Sequence, residues 1–366
     1  MNTIGISLYL DYYTLDECKK RIDNAAKLGY KEIFTSFNFE EYSFPGSKKV
    51  SDKDKKALMD YAEKKGMRFH VDITKKLVYK MGGTVEDLSC FKKLNIPIVR
   101  LDGGFTNEEI AICTNNKYGI MIEDNLSNYK QIIDRIEVIK AKGNLSQYSA
   151  CLNFFPRNDT GADLKDAIAS AIRMKELGCQ TGAFISSLYS PTQMNGTGIG
   201  TPSIEDHRYL PSYIQMYELL CTKVFDFILF GDSDPSQEEL IDVARAFKCF
   251  KKGYIELPCY LEDIDKQILK KIKNITYLSR EDFSQNVIRG TASRGILMNP
   301  YNTIERKQYS ITLDNNTSNQ YSGELQITLK DLPAAKNVNV IGVVKPYAIC
   351  LLKYIHHDVV SFKIAQ

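Results

Sequence analysis

Acidic side chains recur at the ends of short, apolar, β-rich runs in this chain: Asp72 at the third run, Asp102 at the fourth, Glu123 at the fifth and Asp232 at the eighth. Asn125 accompanies the fifth, and Asn153 with Arg157 the sixth. A long segment after the seventh carries Glu205, His207 and Arg208. One such acid is commonly a helix cap. Four or five converging on one face repel one another and need a purpose. Two chemistries use them: a carboxylate pair that cleaves a glycosidic bond, or a carboxylate cluster that holds Mg²⁺. The metal reading lacks the Lys or His base that such sites employ.

Other chemistries are disfavoured by what is missing. No Lys is expected at a strand end for a Schiff base. The four histidines include no His-x-His, and His70, inside the third run, reads as a core residue. There is no Gly-x-Ser-x-Gly nucleophile elbow. The glycosidase reading is the stronger one, with Asp102 and Glu205 as the expected pair and Asp72 and Asp232 orienting or replacing one of them. Glu205 has a competing role, because Ser203-Ile-Glu-Asp206 reads as a capping box. Neither metal nor cofactor is expected.

Arginines point to an anionic substrate. Arg157 lies beside the sixth strand end, and Arg280, Arg289 and Arg294 cluster further on. Guanidinium forks suit phosphate or carboxylate. With no Trp in the chain, sugar stacking falls to residues such as Tyr9, Phe37 and Phe155.

The elements that must position these groups alternate. Strands are expected over Ile4–Leu10, Glu32–Phe37, Arg68–Ile73, Ile98–Leu101, Gly119–Ile122, Ser149–Phe154, Thr181–Ile185 and Phe225–Phe230. Between them lie helical patterns such as Leu15–Leu28, Asp52–Lys65 and Leu164–Leu177, closed by Gly29, Gly66 and Gly178. Such a βα alternation predicts a closed (β/α)₈ (TIM) barrel over residues 1–245. No G-x-G-x-x-G follows the first strand, and Gly196-Thr-Gly198-Ile-Gly200-Thr has the wrong context for one. From about residue 300 the pattern changes to strands without helical partners: Tyr309–Leu313, Gly323–Leu329, Val338–Val344 and Val359–Ile364. A second, β-rich domain is expected over 246–366, its first part a connecting segment.

Composition narrows the partners. Lys+Arg 48 against Asp+Glu 45 leaves a net charge of only +3, with no basic stripe for nucleic acid. Nine cysteines without a C-x-x-C read as reduced thiols of a cytoplasmic protein. No apolar run is long enough for a membrane span, and the N-terminus lacks the pattern of a signal peptide. The expected partner is a small molecule, and a homo-oligomer is compatible with the sequence.

Leu152-Asn-Phe-Phe-Pro-Arg-Asn-Asp-Thr-Gly161 resembles the His-Asn-Tyr-Tyr-Pro-Arg-Pro-Glu-Thr-Gly stretch of the MupG-type 6-phospho-N-acetylmuramidases. Gly200-Thr-Pro-Ser-Ile-Glu-Asp-His-Arg208 is similar to that family's Gly-Leu-Pro-Thr-Leu-Glu-x-His-Arg. Phe230-Gly-Asp232, Asn286-Val-Ile-Arg289, Gly323-Glu-Leu-Gln-Ile327 and Asn339-Val-Ile-Gly342 also match, in the same order. The resemblance implies a (β/α)₈ barrel followed by a small cyclophilin-like β-barrel. It further implies hydrolysis of a 6-phosphorylated MurNAc-GlcNAc disaccharide in cytoplasmic peptidoglycan recycling. Asn125, Asn153, Arg157, His207, Arg208, Arg280 and Arg289 are then the expected substrate contacts. The sequence departs from the family pattern at Leu152 (His), Phe154 and Phe155 (both Tyr), Asp159 (Glu) and Thr201 (Leu).

Overall fold

Eight parallel strands close on themselves in chain order in the computed structural model, which describes residues 2–38, 48–127, 129–189 and 199–366. They are β1 Thr3–Ser7, β2 Glu32–Ser36, β3 Arg68–Thr74, β4 Ile98–Gly103, β5 Met121–Asn125, β6 Tyr148–Cys151, β7 Gln180–Ile185 and β8 Phe227–Phe230. Closure leaves no edge strand, so every strand is covered on both faces and can be almost wholly apolar. Inside the barrel Tyr9, Phe34, Cys151, Phe184, Phe227 and Leu229 pack together, with Tyr12 and Phe154 against them. Phe34, Phe154 and Phe184 meet edge to face at 5.2 to 5.7 Å between ring centres.

Local sequence starts and stops the outer helices. Thr14 and Glu17 form a reciprocal capping box before the helix Leu15–Leu28, and Gly29 ends it at φ 99, a conformation that costs glycine nothing. The helices Asp52–Lys64 and Leu164–Glu176 stop one residue short of the expected ends.

Strand limits differ more. β1 ends at Ser7, because Leu10–Tyr12 turns as a 3₁₀ helix. β6 ends at Cys151, ahead of Phe154, whereas β5 runs on through Glu123, Asp124 and Asn125, which pair with Ser149, Ala150 and Cys151. Apolar runs mark what is buried, and ladder hydrogen bonds continue through polar residues where a neighbour is present. β3 likewise reaches Thr74, so Lys75 does stand directly after a strand, where it binds Glu109.

The chain divides into two compact units, Met1–Ala244 and Arg245–Gln366. The second contains a six-stranded sheet in the order β10-β12-β11-β13-β9-β14. Its strands are β9 Ile255–Leu261, β10 Val287–Gly290, β11 Ser310–Asp314, β12 Leu325–Thr328, β13 Val338–Val344 and β14 Phe362–Ala365. Both edges meet one segment: Tyr277 bridges to Phe362 of β14 and Ser279 to Gly290 of β10, so the sheet is curled. Two of its strands, β9 and β10, fall in what reads from sequence as a connector, and helices Lys266–Asn274 and Leu352–His356 accompany the sheet. Pro258 disguises β9. It is tolerated because β14 pairs with residues 255–258 and β13 with 259–261, so the proline stands where the pairing changes sides.

Candidate active site

Asp72 lies within β3 and is 8% exposed; Asp102 lies within β4 and is exposed. Pairing of β3 with β4 slips between them: Ile73 faces Leu101 and Thr74 faces Gly103, which makes Asp102 the extra residue of a bulge. A bulge re-aims the side chain that it carries. Thr106 and Glu109 form the capping box of the next helix, so Asp102 caps nothing there.

Asn38, just beyond β2 and 2% exposed, joins the two acids. Its Nδ2 donates to Asp72 Oδ2 at 3.1 Å and to Asp102 Oδ2 at 3.2 Å. Its Oδ1 accepts the Thr74 N–H at 2.9 Å, and its own N–H donates to Ser36 Oγ at 3.2 Å. Ser36 Oγ also donates to Asp72 Oδ2 at 3.2 Å, while Arg100 Nη1 stands 3.4 Å from Asp72 Oδ1 and Nη2 binds Asn153 Oδ1. Burial pushes the Asp72 carboxyl up to about 7; Arg100 opposes the rise and Asp102 reinforces it.

Beneath this pair runs a line of alternating charge. Arg68 binds Glu32 at 2.7 Å, Glu32 faces His70 Nε2 at 3.3 Å, and His70 Nδ1 meets Glu123 Oε2 at 2.7 Å. Glu123 Oε1 lies 3.7 Å from Arg100 Nε, which returns the line to Asp72. Burial disfavours a charged His70, but Glu123 and Glu32 outweigh it and raise the ring to about 9. His70 is therefore the buried core histidine that its position suggested. Glu123, expected at the rim, is fully buried in the barrel and engaged by His70.

Glu205 occupies a different place. Its Oε1 accepts from the Asp159 N–H at 3.0 Å and Arg208 Nε at 2.6 Å; its Oε2 accepts from the Gly161 N–H at 2.7 Å and Arg208 Nη2 at 2.6 Å. Arg208, joined by the two N–H groups, holds this carboxyl down at about 2 against partial burial. A Cβ on residue 161 would sit 2.6 Å from Glu205 Oε2, so only glycine permits the approach. Asp159 has φ 62, which a short Asp accepts more readily than the Glu of the family pattern. The capping box expected around Glu205 is not formed: Ser203 Oγ instead accepts the Phe184 N–H, and Glu205–His207 is a single 3₁₀ turn.

Arg208 and His207, expected as substrate contacts, are both buried and engaged by the protein itself. Arg208 is 0% exposed, and its five N–H donors all find acceptors: Glu205 twice and the carbonyls of Phe155, Gly200 and Arg157. His207 is buried, with Nε2 3.0 Å from Glu218. Asp232 is also buried. Its Oδ2 accepts N–H groups from Ser187 at 2.8 Å and Thr201 at 3.2 Å, tying together the two flanks of the segment after β7, and burial raises its carboxyl to about 6. Gly196 and Gly198 of that segment lie outside the described residues.

The remaining expected residues scatter. Asn125 Oδ1 accepts the Ser127 N–H, and Arg157 is exposed. Tyr9 and Phe37 are buried, the latter beneath Lys55 Nζ, and Phe155 alone of the three is half-exposed. Leu152 helps line a cavity of about 650 Å³ with Leu126, Ser127, Ala162 and Asp166. In the second unit Arg280 forks onto Asp282, and Arg289 and Arg294 both fork onto buried Glu324. Among the described residues no group of three or more His, Cys, Asp or Glu could hold a metal, and no helix is long and apolar enough to cross a membrane. Asn38, Ser36 and Arg100 are absent from the sequence-based list. Arg100 left a trace, as a charge inside an otherwise apolar strand.

A closed (β/α)₈ barrel with a hydrogen-bonded carboxylate pair at the carboxyl ends of adjacent strands has the layout of a barrel enzyme. Sequence models of the 6-phospho-N-acetylmuramidases match both parts of the chain, the N-terminal one over residues 4–245 and the C-terminal one over 255–365. The chain belongs to this family of glycosidases. An uncharacterized B. cereus protein of known structure is 27% identical, with full coverage of both chains and a TM-score of 0.85. A conserved Enterococcus faecalis protein of unknown function shares the fold at 23% identity, covering 100% of this chain and 96% of its own, with a TM-score of 0.75. No curated protein matches the chain.

Proposed function

We propose that the protein hydrolyses the glycosidic bond of 6-phospho-N-acetylmuramyl-N-acetylglucosamine with Asp72 and Asp102 as its carboxylate pair. The observation that carries this reading is the single Asn38 amide bound to both acids. Asp72 keeps its proton to about pH 7 and suits the acid that protonates the departing oxygen. Asp102, exposed on its bulge, is the partner. Glu205 holds the 157–161 turn, and Asp232 holds the flanks of the segment after β7. Asn125, Asn153 and Arg157 are the candidate sugar and phosphate contacts of the barrel, and Arg280 and Arg289 stay proposed anion contacts of the second unit. We assign the curled sheet of that unit a cyclophilin-like fold. Peptidoglycan recycling in the cytoplasm is the accompanying role, in keeping with nine cysteines that form no C-x-x-C, eight of them buried.

The test is release of N-acetylglucosamine and MurNAc-6-phosphate from the phosphorylated disaccharide, with the unphosphorylated one as control. Asp102→Asn is expected to lower kcat by about 10³-fold or more at an unchanged Tm. Binding of the phosphorylated disaccharide by the unaltered protein without release would instead identify a sugar-phosphate-binding protein.

A further inference from the structure

Two oxygens bound to one planar amide nitrogen cannot be placed at any distance. Held at 3.1 and 3.2 Å from one nitrogen, Asp72 Oδ2 and Asp102 Oδ2 lie no more than about 6.3 Å apart, and about 5.5 Å apart where each takes its own N–H of the planar amide. Carboxylate pairs about 5–5.5 Å apart act by double displacement, whereas pairs about 6.5–9.5 Å apart leave room for a water and invert. Asn38 is itself locked, with its Oδ1 on the Thr74 N–H and its own N–H on Ser36 Oγ. Thr74 follows the slip in the β3–β4 register, so the one amide joins the bulge and both acids. Ser36 and Arg100 hold Asp72 from its other sides.

We propose that Asn38 is the positioning residue that sets the Asp72–Asp102 spacing, and that the hydrolysis therefore proceeds with retention of the anomeric configuration. The inference rests on the carboxylate pair proposed above. Asp102 attacks the anomeric carbon as the bond to the departing sugar breaks, and the Asp72 proton moves to the departing oxygen. A glycosyl ester on Asp102 results. Water then attacks the same carbon, gives a proton to Asp72 and releases Asp102 as carboxylate. Two inversions restore the starting configuration.

The product anomer is read by proton NMR in the first minutes of turnover, before mutarotation. The retained anomer is expected; the inverted anomer overturns the inference while leaving the glycosidase reading intact, and only a protein that never cleaves the substrate removes both. With an aryl 6-phospho-N-acetylmuramide, whose departing group needs no acid, Asp72→Asn should accumulate an adduct found by mass spectrometry on the peptide containing Asp102. An unmodified Asp102 peptide beside a retained product assigns the attack to the substrate's own acetamido group and overturns the double displacement. Asn38→Leu removes both shared donors. A kcat loss of about 100-fold is expected from misplacement of the pair, with KM changed much less. Loss of its N–H donor disfavours ionised Asp72, so the alkaline limb of kcat/KM, where this acid loses its proton, should move to higher pH. Should Asn38→Leu fail to fold, Asn38→Ser, which keeps one donor, carries the same readout. An unchanged kcat and pH profile in the folded variant would show that Asn38 has no part in positioning.

Discussion

Glu205 and Asp102 look alike in sequence, each an acid beyond an apolar run, yet their surroundings are opposite. Glu205 meets four donors with its two oxygens and stays ionised down to about pH 2, which removes it as a proton donor near neutrality. Asp72 is buried beside another acid and holds its proton to about 7. The Glu205→Gln variant is expected to lose about 2 kcal/mol of stability, since Arg208 would keep its burial without a matching charge. Its kcat should fall by less than about tenfold, the effect of a displaced turn rather than of a missing reactant. Thermal unfolding and steady-state kinetics on the same variant decide this. A kcat loss of several orders with an unchanged Tm would return Glu205 to the reacting pair.

At the scale of elements, the barrel strands hold both the site and a ladder of opposite charges beneath it. β2, β3 and β5 supply Glu32, His70 and Glu123, and the histidine pKa rises from 6.5 to about 9. A group whose folded pKa is raised stabilises fully below its unfolded value and loses that contribution as pH rises through the folded one. The Tm should therefore fall from about pH 6.5 to pH 9, as this buried ring loses its proton between two glutamates. In His70→Gln the Tm should be lower at pH 6.5 and nearly flat across the same interval. A parallel fall in both proteins would assign the transition to other groups. The bulge at Asp102 is the other element-scale device: one unpaired residue gives β4 an exposed carboxylate where a regular ladder would have continued.

At the scale of the whole molecule, the barrel unit contains the described carboxylate pair, and the second unit has its own buried ion cluster, with Arg289 and Arg294 on Glu324. The two-carboxylate mechanism transfers a proton and forms a glycosyl ester without a metal ion. Hydrolysis of the phosphorylated disaccharide should therefore proceed at the same rate in EDTA as in Mg²⁺. Activity lost in EDTA and restored by Mg²⁺ would assign the acids to a cation instead.

The order of elements was legible in the sequence because its signals are local. The Leu15–Leu28 helix carries its capping box and terminal glycine within the segment, and eight apolar runs alternating with helical patterns leave few arrangements other than a closed barrel. Asp72 and Asp102 stood among the candidates because acids at strand ends are conspicuous. What distinguishes their surroundings from those of Glu205 is a matter of contacts near 3 Å among residues far apart in the chain: Asn38 lies 34 residues from Asp72 and 64 from Asp102. A one-residue slip between β3 and β4 brings these groups together, and no periodicity in either strand announces it. The same holds for β9, whose proline is admitted only because two different neighbours share the strand. Residue types and their periods determine which face is buried; the register between strands, which only the folded chain sets, determines which acids share a donor.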